Sequence, residues 1–255
     1  MAQTRPEGSA AGTTRVKVLR SVWETGWSGA APVRPWSDRH FADAFGSAAG
    51  FWSRATSGLV SLAFDVGPWS VLAGGSQAEL MSDRAAIVAA CRRQARRDRV
   101  TVEGYDHVIA FVHEPPADTG VWGRDLVLDQ TVPRWTRHRQ IGRLLGFGRA
   151  LGPSGSPDDP YCVMGAGRCG LSAASQHRYA GGTGVATVHT GPGATVELTA
   201  LSEPDGGPVL AVVPVPGGRL TVEYRTDSGD DVDLRAAGVV DSRRDDSPSV
   251  SCEAA

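Results

Sequence analysis

Long apolar runs are missing from this 255-residue sequence. No stretch reaches the length of a membrane span, and MAQTRPEGSAAGTT (1–14) has no apolar segment of the kind a secretory leader requires. The expectation is therefore a cytoplasmic chain with no membrane partner. Cysteine is scarce: four residues cannot staple a chain of this size, although Cys162 and Cys169 lie close enough in sequence to pair if oxidised. Excess charge of one sign is absent too. Twenty-six basic against 28 acidic residues leave a formal charge of -2, which provides no electrostatic footprint for nucleic acid. The histidines His40, His107, His177 and His189 show no ligand-like spacing among themselves, and no internal repeat is present.

What is there is an ordinary globular composition, 41% hydrophobic and 21% charged, in a chain long enough to bury a full core. RVKVLRSVWE (15–24) and LVSLAFDV (59–66) read as strands. SDRHFADAFGSAAGFWSRATSG (37–58) reads as a helix with Phe41, Phe45 and Trp52 on one face and Ser37 as N-cap. SDRAAIVAACRRQARRD (82–98) is an amphipathic helix with Ile87, Cys91 and Ala95 inward and its basic residues in solvent. HVIAFVH (107–113) is a nearly continuous apolar run, as expected of a strand buried in mid-sheet, and GRDLVLDQ (123–130) alternates as an edge strand would. From about Gly182 the composition turns to Val, Thr, Gly and Pro. VATVHT, ATVELTAL, VLAVVPV and LTVEYRT are each predicted as short strands of an all-β module. The expected division is a tail at 1–14, an α/β part at 15–181, a β-sandwich-like module at 182–240 and a charged, Ser-rich tail at 241–255.

The informative stretch is HRQIGRLLGFGRA (138–150), followed by DDPYCVMG (158–165). Metzincin-type zinc peptidases carry HExxHxxGxxH, in which two histidines one helical turn apart, a Glu base, a helix-breaking Gly and a third His build the metal site. Here Arg139, Gln140, Arg143, Gly146 and Arg149 occupy those positions, while Ile141, Gly142, Leu144, Leu145 and Gly148 resemble the filler of HEIGHLLGLGHA and VMG resembles the Met-turn. The wider chain is similar to gametolysin-like and immune-inhibitor-like peptidases. FWSRATSGLVSLAFDV resembles their YWxxxSxGxLxLxGxV segment, YDHVIAFVHE the strand before the cleft and GVWGRDLVLD the edge strand that pairs with substrate. DPYCVMGAGRCGLSAASQHRYAG and LTVEYRTDSGDDVDLRAAGVV resemble their later segments. The resemblance implies an α/β (α+β) zincin-like metallopeptidase fold carrying the small all-β module.

The departures from that pattern bear on function. A guanidinium has no acceptor lone pair and does not deprotonate, so three arginines cannot hold zinc, and Gln140 cannot take a proton from water as Glu does. His138 sits one position early, which turns its side chain about 100° away from the first ligand's direction. No metal and no cofactor is expected. If the fold is kept, Arg139, Arg143 and Arg149 gather where a dication would sit and call for anions. Those are either internal carboxylates (Glu114, Asp129, Asp158, Asp159) or the carboxylate or phosphate of a ligand, unless the arginines splay into solvent.

Two readings stay open. One is a metal-free enzyme that converts a small carboxylated aromatic molecule by acid-base chemistry of a cyclisation or imine-condensation type. Arg139, Gln140, Arg143, Arg149, Trp122 and Trp135 would then bind substrate, with the proton acceptor among Glu114, His113, His138, Tyr161 and Asp125. Each of these also has a plain structural role open to it, as core aromatic, strand-end residue or packed histidine. The other reading is a non-catalytic pseudopeptidase that binds a peptide along GRDLVLDQ or a partner through the β module.

Overall fold

The computed structural model describes residues 12–23, 35–72, 83–113, 116, 119–150, 159–179, 186–191, 193–202, 206–216, 218–234 and 237–245. They form a mixed α/β protein with two mixed sheets and four helices, arranged in two units. One unit comprises the described residues of Ala11–Arg54 and Val60–Leu145; the other comprises those of Ala55–Leu59 and Gly146–Ala255.

The first unit is built on a sheet ordered β2-β1-β3-β5-β4, from β1 (Thr14–Trp23), β2 (Leu62–Leu72), β3 (His107–Val112), β4 (Gly120–Trp122) and β5 (Asp125–Asp129). β2, β1, β3 and β5 run parallel and β4 antiparallel. Parallel strands covered on both faces read as continuous apolar runs, and HVIAFV does so because five of its six residues are buried. Its alternate residues Val108, Ala110 and Val112 join Ile87, Val88, Cys91 and Ala95 of α2 (Arg84–Arg97) in one cluster. Phe111 faces the other way and packs edge-on against Phe41 of α1 (Asp38–Ala55), with ring centroids 4.8 Å apart. Asp83 caps α2 by accepting from Ala85 N at 2.8 Å. Between Val18 and Arg20 the β1–β2 register shifts, and there the buried Arg20 donates to Gly67 O and to Asp38 at 2.5 Å each.

β5 corrects one expectation from the sequence. It is not an edge strand: β3 flanks it on one side, β4 on the other, and Leu126, Val127 and Leu128 are all fully buried. Among the described residues the edges of this sheet are β2 and β4, and β4 is the one beside β5. After β5 the chain enters α3 (Arg134–Leu144) behind Pro133, whose missing N–H costs nothing at a helix start.

The second unit carries α4 (Ala173–Tyr179) and a sheet ordered β6-β7-β8-β9, from β6 (Thr187–His189), β7 (Leu210–Val215), β8 (Gly218–Arg225) and β9 (Gly238–Asp245). β6 and β7 are parallel and the remaining pairs antiparallel. Four expectations are revised here. Among the described residues the module is a single four-stranded sheet and not two facing ones. ATVELTAL contributes only a bridge from Ala200 to Tyr224 and forms no ladder among the described residues. β9 continues to Asp245, past the expected boundary at 240, since Gly218 and Arg219 of β8 offer it partners. The segment from Gly146 onward clusters with this sheet and not with the first unit, which moves the dividing point upstream from 181. No helix among the described residues is long and apolar enough to cross a membrane.

Candidate functional site

The helix that carries Arg139, Gln140 and Arg143 is α3. Its sequence RWTRHRQIGRL holds four arginines and no carboxylate, and Arg139 and Arg143 lie one turn apart on one face, both half-buried. Arg143 stands in the last turn, where the helix dipole favours a cation. Leu145 is the C-cap, and Gly146 follows at φ +90°, a conformation that glycine adopts without a Cβ penalty. The helix break expected from the sequence is therefore present.

Around α3 the first unit gathers Trp135, His138 and Gln140. His138 is fully buried, stacked on Phe51 with centroids 4.5 Å apart and met edge-on by Trp135 at 5.5 Å. Neither of its ring nitrogens has a hydrogen-bond partner among the described residues. Burial first, then the charges of Arg134, Arg137 and Arg54, push its pKa down to about 3, so the ring is neutral at physiological pH. Trp135 packs edge-on against Phe51 at 5.9 Å and carries the Arg134 guanidinium over its face at 4.9 Å. Arg137, also buried, lies over Trp36 at 5.3 Å.

Gln140 is 8% exposed, and its Oε1 has no hydrogen-bond partner among the described residues. It reaches β4 at Gly120, where a Cβ would lie 3.5 Å from that Oε1 and 3.2 Å from Arg84 Nη1. Arg84 Nη1 donates to Val121 O at 3.1 Å. Trp122, last residue of the edge strand, is 55% exposed. Thus Gln140, Arg84 and an open indole all meet at β4. Arg84 was not singled out from the sequence: as one of many basic residues on an amphipathic helix it carried no signal, and only the packing of α2 on the sheet brings it there.

The proton-acceptor candidates are placed as follows. His113 follows β3, with Nδ1 3.0 Å from Gln130 Oε1 and its ring edge-on to Trp69. Asp125 is gripped by Arg92 through two contacts, of 2.6 and 3.2 Å, on the α2 side. Asp129 Oδ1 accepts from both Thr131 N and Thr131 Oγ1, which closes the turn before α3. Glu114 and Asp158 lie outside the described residues. Arg149 is exposed and Tyr161 half-buried; both belong to the second unit.

In that unit the VMG turn is tightly held. Met164 is fully buried and its carbonyl accepts from Ala150 N at 3.2 Å; Cys162 O accepts from Gly165 N and Gly167 N. Asp159 organises the loop, with Oδ1 accepting from Tyr161 N and its carbonyl from Ala166 N and Gly167 N. Cys162 and Cys169 are both free and buried, and burial raises both thiols, Cys169 to about 12. The turn is tied to the sheet by a buried cluster. Arg225 of β8, with no exposed surface, donates to Glu223 at 2.9 Å and to both oxygens of Asp231 at 2.7 and 2.5 Å. The carboxylates in turn accept from the loop: Asp231 from Gly170 N at 2.8 Å and Glu223 from Ala173 N, at the start of α4, at 2.6 Å. Burial alone would favour neutral Arg225, but the charges of Glu223 and Asp231 hold it protonated. Glu223 and Arg225 fall two apart in a strand, hence on one face, a pattern readable in LTVEYRT.

The donor set does not fit zinc. Arg139, Arg143 and Arg149 offer no lone pair at the positions where the resembling peptidases carry histidines. Among the described residues no group of three or more His, Cys, Asp or Glu side chains could hold a metal ion. No protein-family model and no curated protein matches the chain.

Proposed function

We propose that this chain is a metal-free derivative of a zinc metallopeptidase that binds and converts a small carboxylated aromatic molecule by acid-base chemistry. The observation that carries this reading is the residue set of α3: arginines and a glutamine stand where metal ligands and a base would be, and Gln140 holds a buried carbonyl oxygen without a partner among the described residues. Arginines suit a carboxylate through their planar fork, and a buried amide oxygen suits an N–H or O–H of the same ligand. The antiparallel edge strand GVW and the tight turn at VMG support descent from the peptidase pattern. An exposed indole at Trp122 supports an aromatic ligand.

The second reading, a pseudopeptidase that adds a peptide strand, is favoured by the free edge of β4. In the two-residue hairpin joining β4 to β5, Trp122 and Asp125 close the turn, so the Val121 carbonyl points away from β5. Arg84 already holds that carbonyl, and a peptide would have to displace it.

Soaking crystals with aminobenzoate and hydroxybenzoate tests the two readings. A carboxylate on Arg139 or Arg143 with the ring against an indole is the expected result. A metal ion on α3 would overturn the metal-free reading, and a peptide paired with β4 in place of any small ligand would move the assignment to the second.

A further inference from the structure

His177 and His189 are 12 residues apart in sequence and belong to different elements, yet their ring centroids lie 6.5 Å apart in the second unit. β6 pairs in parallel register with β7, Thr187 beside Leu210 and His189 beside Val212. Leu210 and Val212 belong to the cluster that includes Ala173 of α4, so Thr187 and His189 share the face of β6 turned toward that helix. His177 extends from α4 to meet them. Its Nδ1 lies 3.2 Å from Thr187 Oγ1. The contact orients the imidazole, and with Nδ1–H donating to Thr187 Oγ1 the Nε2 lone pair is left to coordinate, the usual outer-sphere arrangement of histidine ligands.

We infer that His177 and His189 form a two-imidazole site for a borderline divalent transition metal of the zinc and copper class, with water completing the coordination. Two imidazoles on one tetrahedral ion, each nitrogen about 2.1 Å from the metal, have ring centroids about 5 Å apart. Closing the observed gap takes a shift of about 1 Å, within reach of a side-chain rotation by the exposed His189. Burial first, then the charges of His189 and Arg219, lower the pKa of His177, so this ring is neutral and able to coordinate at pH 7. Arg219 of β8 is the cation whose field opposes the ion. The site is distinct from α3 and does not rest on the function proposed above; a metal there would tie α4 to β6.

Isothermal titration of the full chain with zinc chloride at pH 7.5 is expected to show one saturable site. H177A and H189A should each weaken it at least tenfold, T187V severalfold, and R219Q should tighten it. With copper(II), the electron paramagnetic resonance spectrum should carry hyperfine structure from two imidazole nitrogens, lost in either histidine variant. Circular dichroism identical to the parent protein shows that the variants remain folded, and a zinc-induced rise in Tm absent from H177A and H189A provides a second readout. No saturable zinc binding at 100-fold excess, or affinity unchanged in both histidine variants, would overturn the site.

Discussion

His138 and Arg225 show two ways of burying a polar side chain. His138 has aromatic neighbours, and among the described residues no hydrogen-bond partner, so the neutral ring is the form the fold accepts. Its folded pKa of about 3 lies below the unfolded value near 6.5, so the unfolded chain binds the extra proton between them. The stability that neutral His138 contributes is thus fully present above pH 6.5 and is lost as pH falls toward 3, with a slope of up to about 1.4 kcal/mol per pH unit. Replacement by Phe should remove that component, which denaturant unfolding between pH 4 and 7 measures as a flatter profile than the parent's. Arg225 is the opposite case, a charge matched by two carboxylates. R225A leaves Glu223 and Asp231 buried without their cation and should cost about 3–5 kcal/mol, read from the shift in denaturant midpoint. D231N keeps the shape and should cost less.

At the scale of elements, the turn at 159–170 is set by close backbone approach. A Cβ on Gly165 would land on the backbone oxygen of Asp159, and one on Gly167 would lie 2.7 Å from both Cys169 Sγ and Pro160 O. Alanine at either position should destabilise the protein by about 2–4 kcal/mol through displaced backbone, whereas G148A, with nothing within 4 Å, should be close to neutral in the same thermal unfolding assay. Similar reasoning explains what the sequence pattern conveyed about each element. β1 and α1 could be read from the spacing of their apolar residues, and β3 from a continuous apolar run that burial on both faces imposes. β5 could not be placed: GRDLVLDQ alternates like an edge strand, but its polar ends are absorbed by Arg92 and by the Thr131 turn while β4 covers its side. ATVELTAL alternates too, yet alternation without a ladder partner makes no strand.

Over the whole molecule, the sequence by itself determined the order of strands and helices in the first unit apart from β4, the helix break at Gly146 and the exclusion of zinc from α3. Each of these depends on local chemistry: periodicity, a φ that glycine tolerates, or the lack of a lone pair on arginine. Tertiary structure alone decided the rest. Which strands lie at the edges depends on sheet order, and whether the segment after α3 belongs with the strands before or after it depends on Gly170 and Ala173 reaching Asp231 and Glu223. The same holds for Arg84 at the edge strand and for His177 beside His189, because residues far apart in a chain meet only through the packing of the elements that carry them, and no sequence spacing encodes that distance.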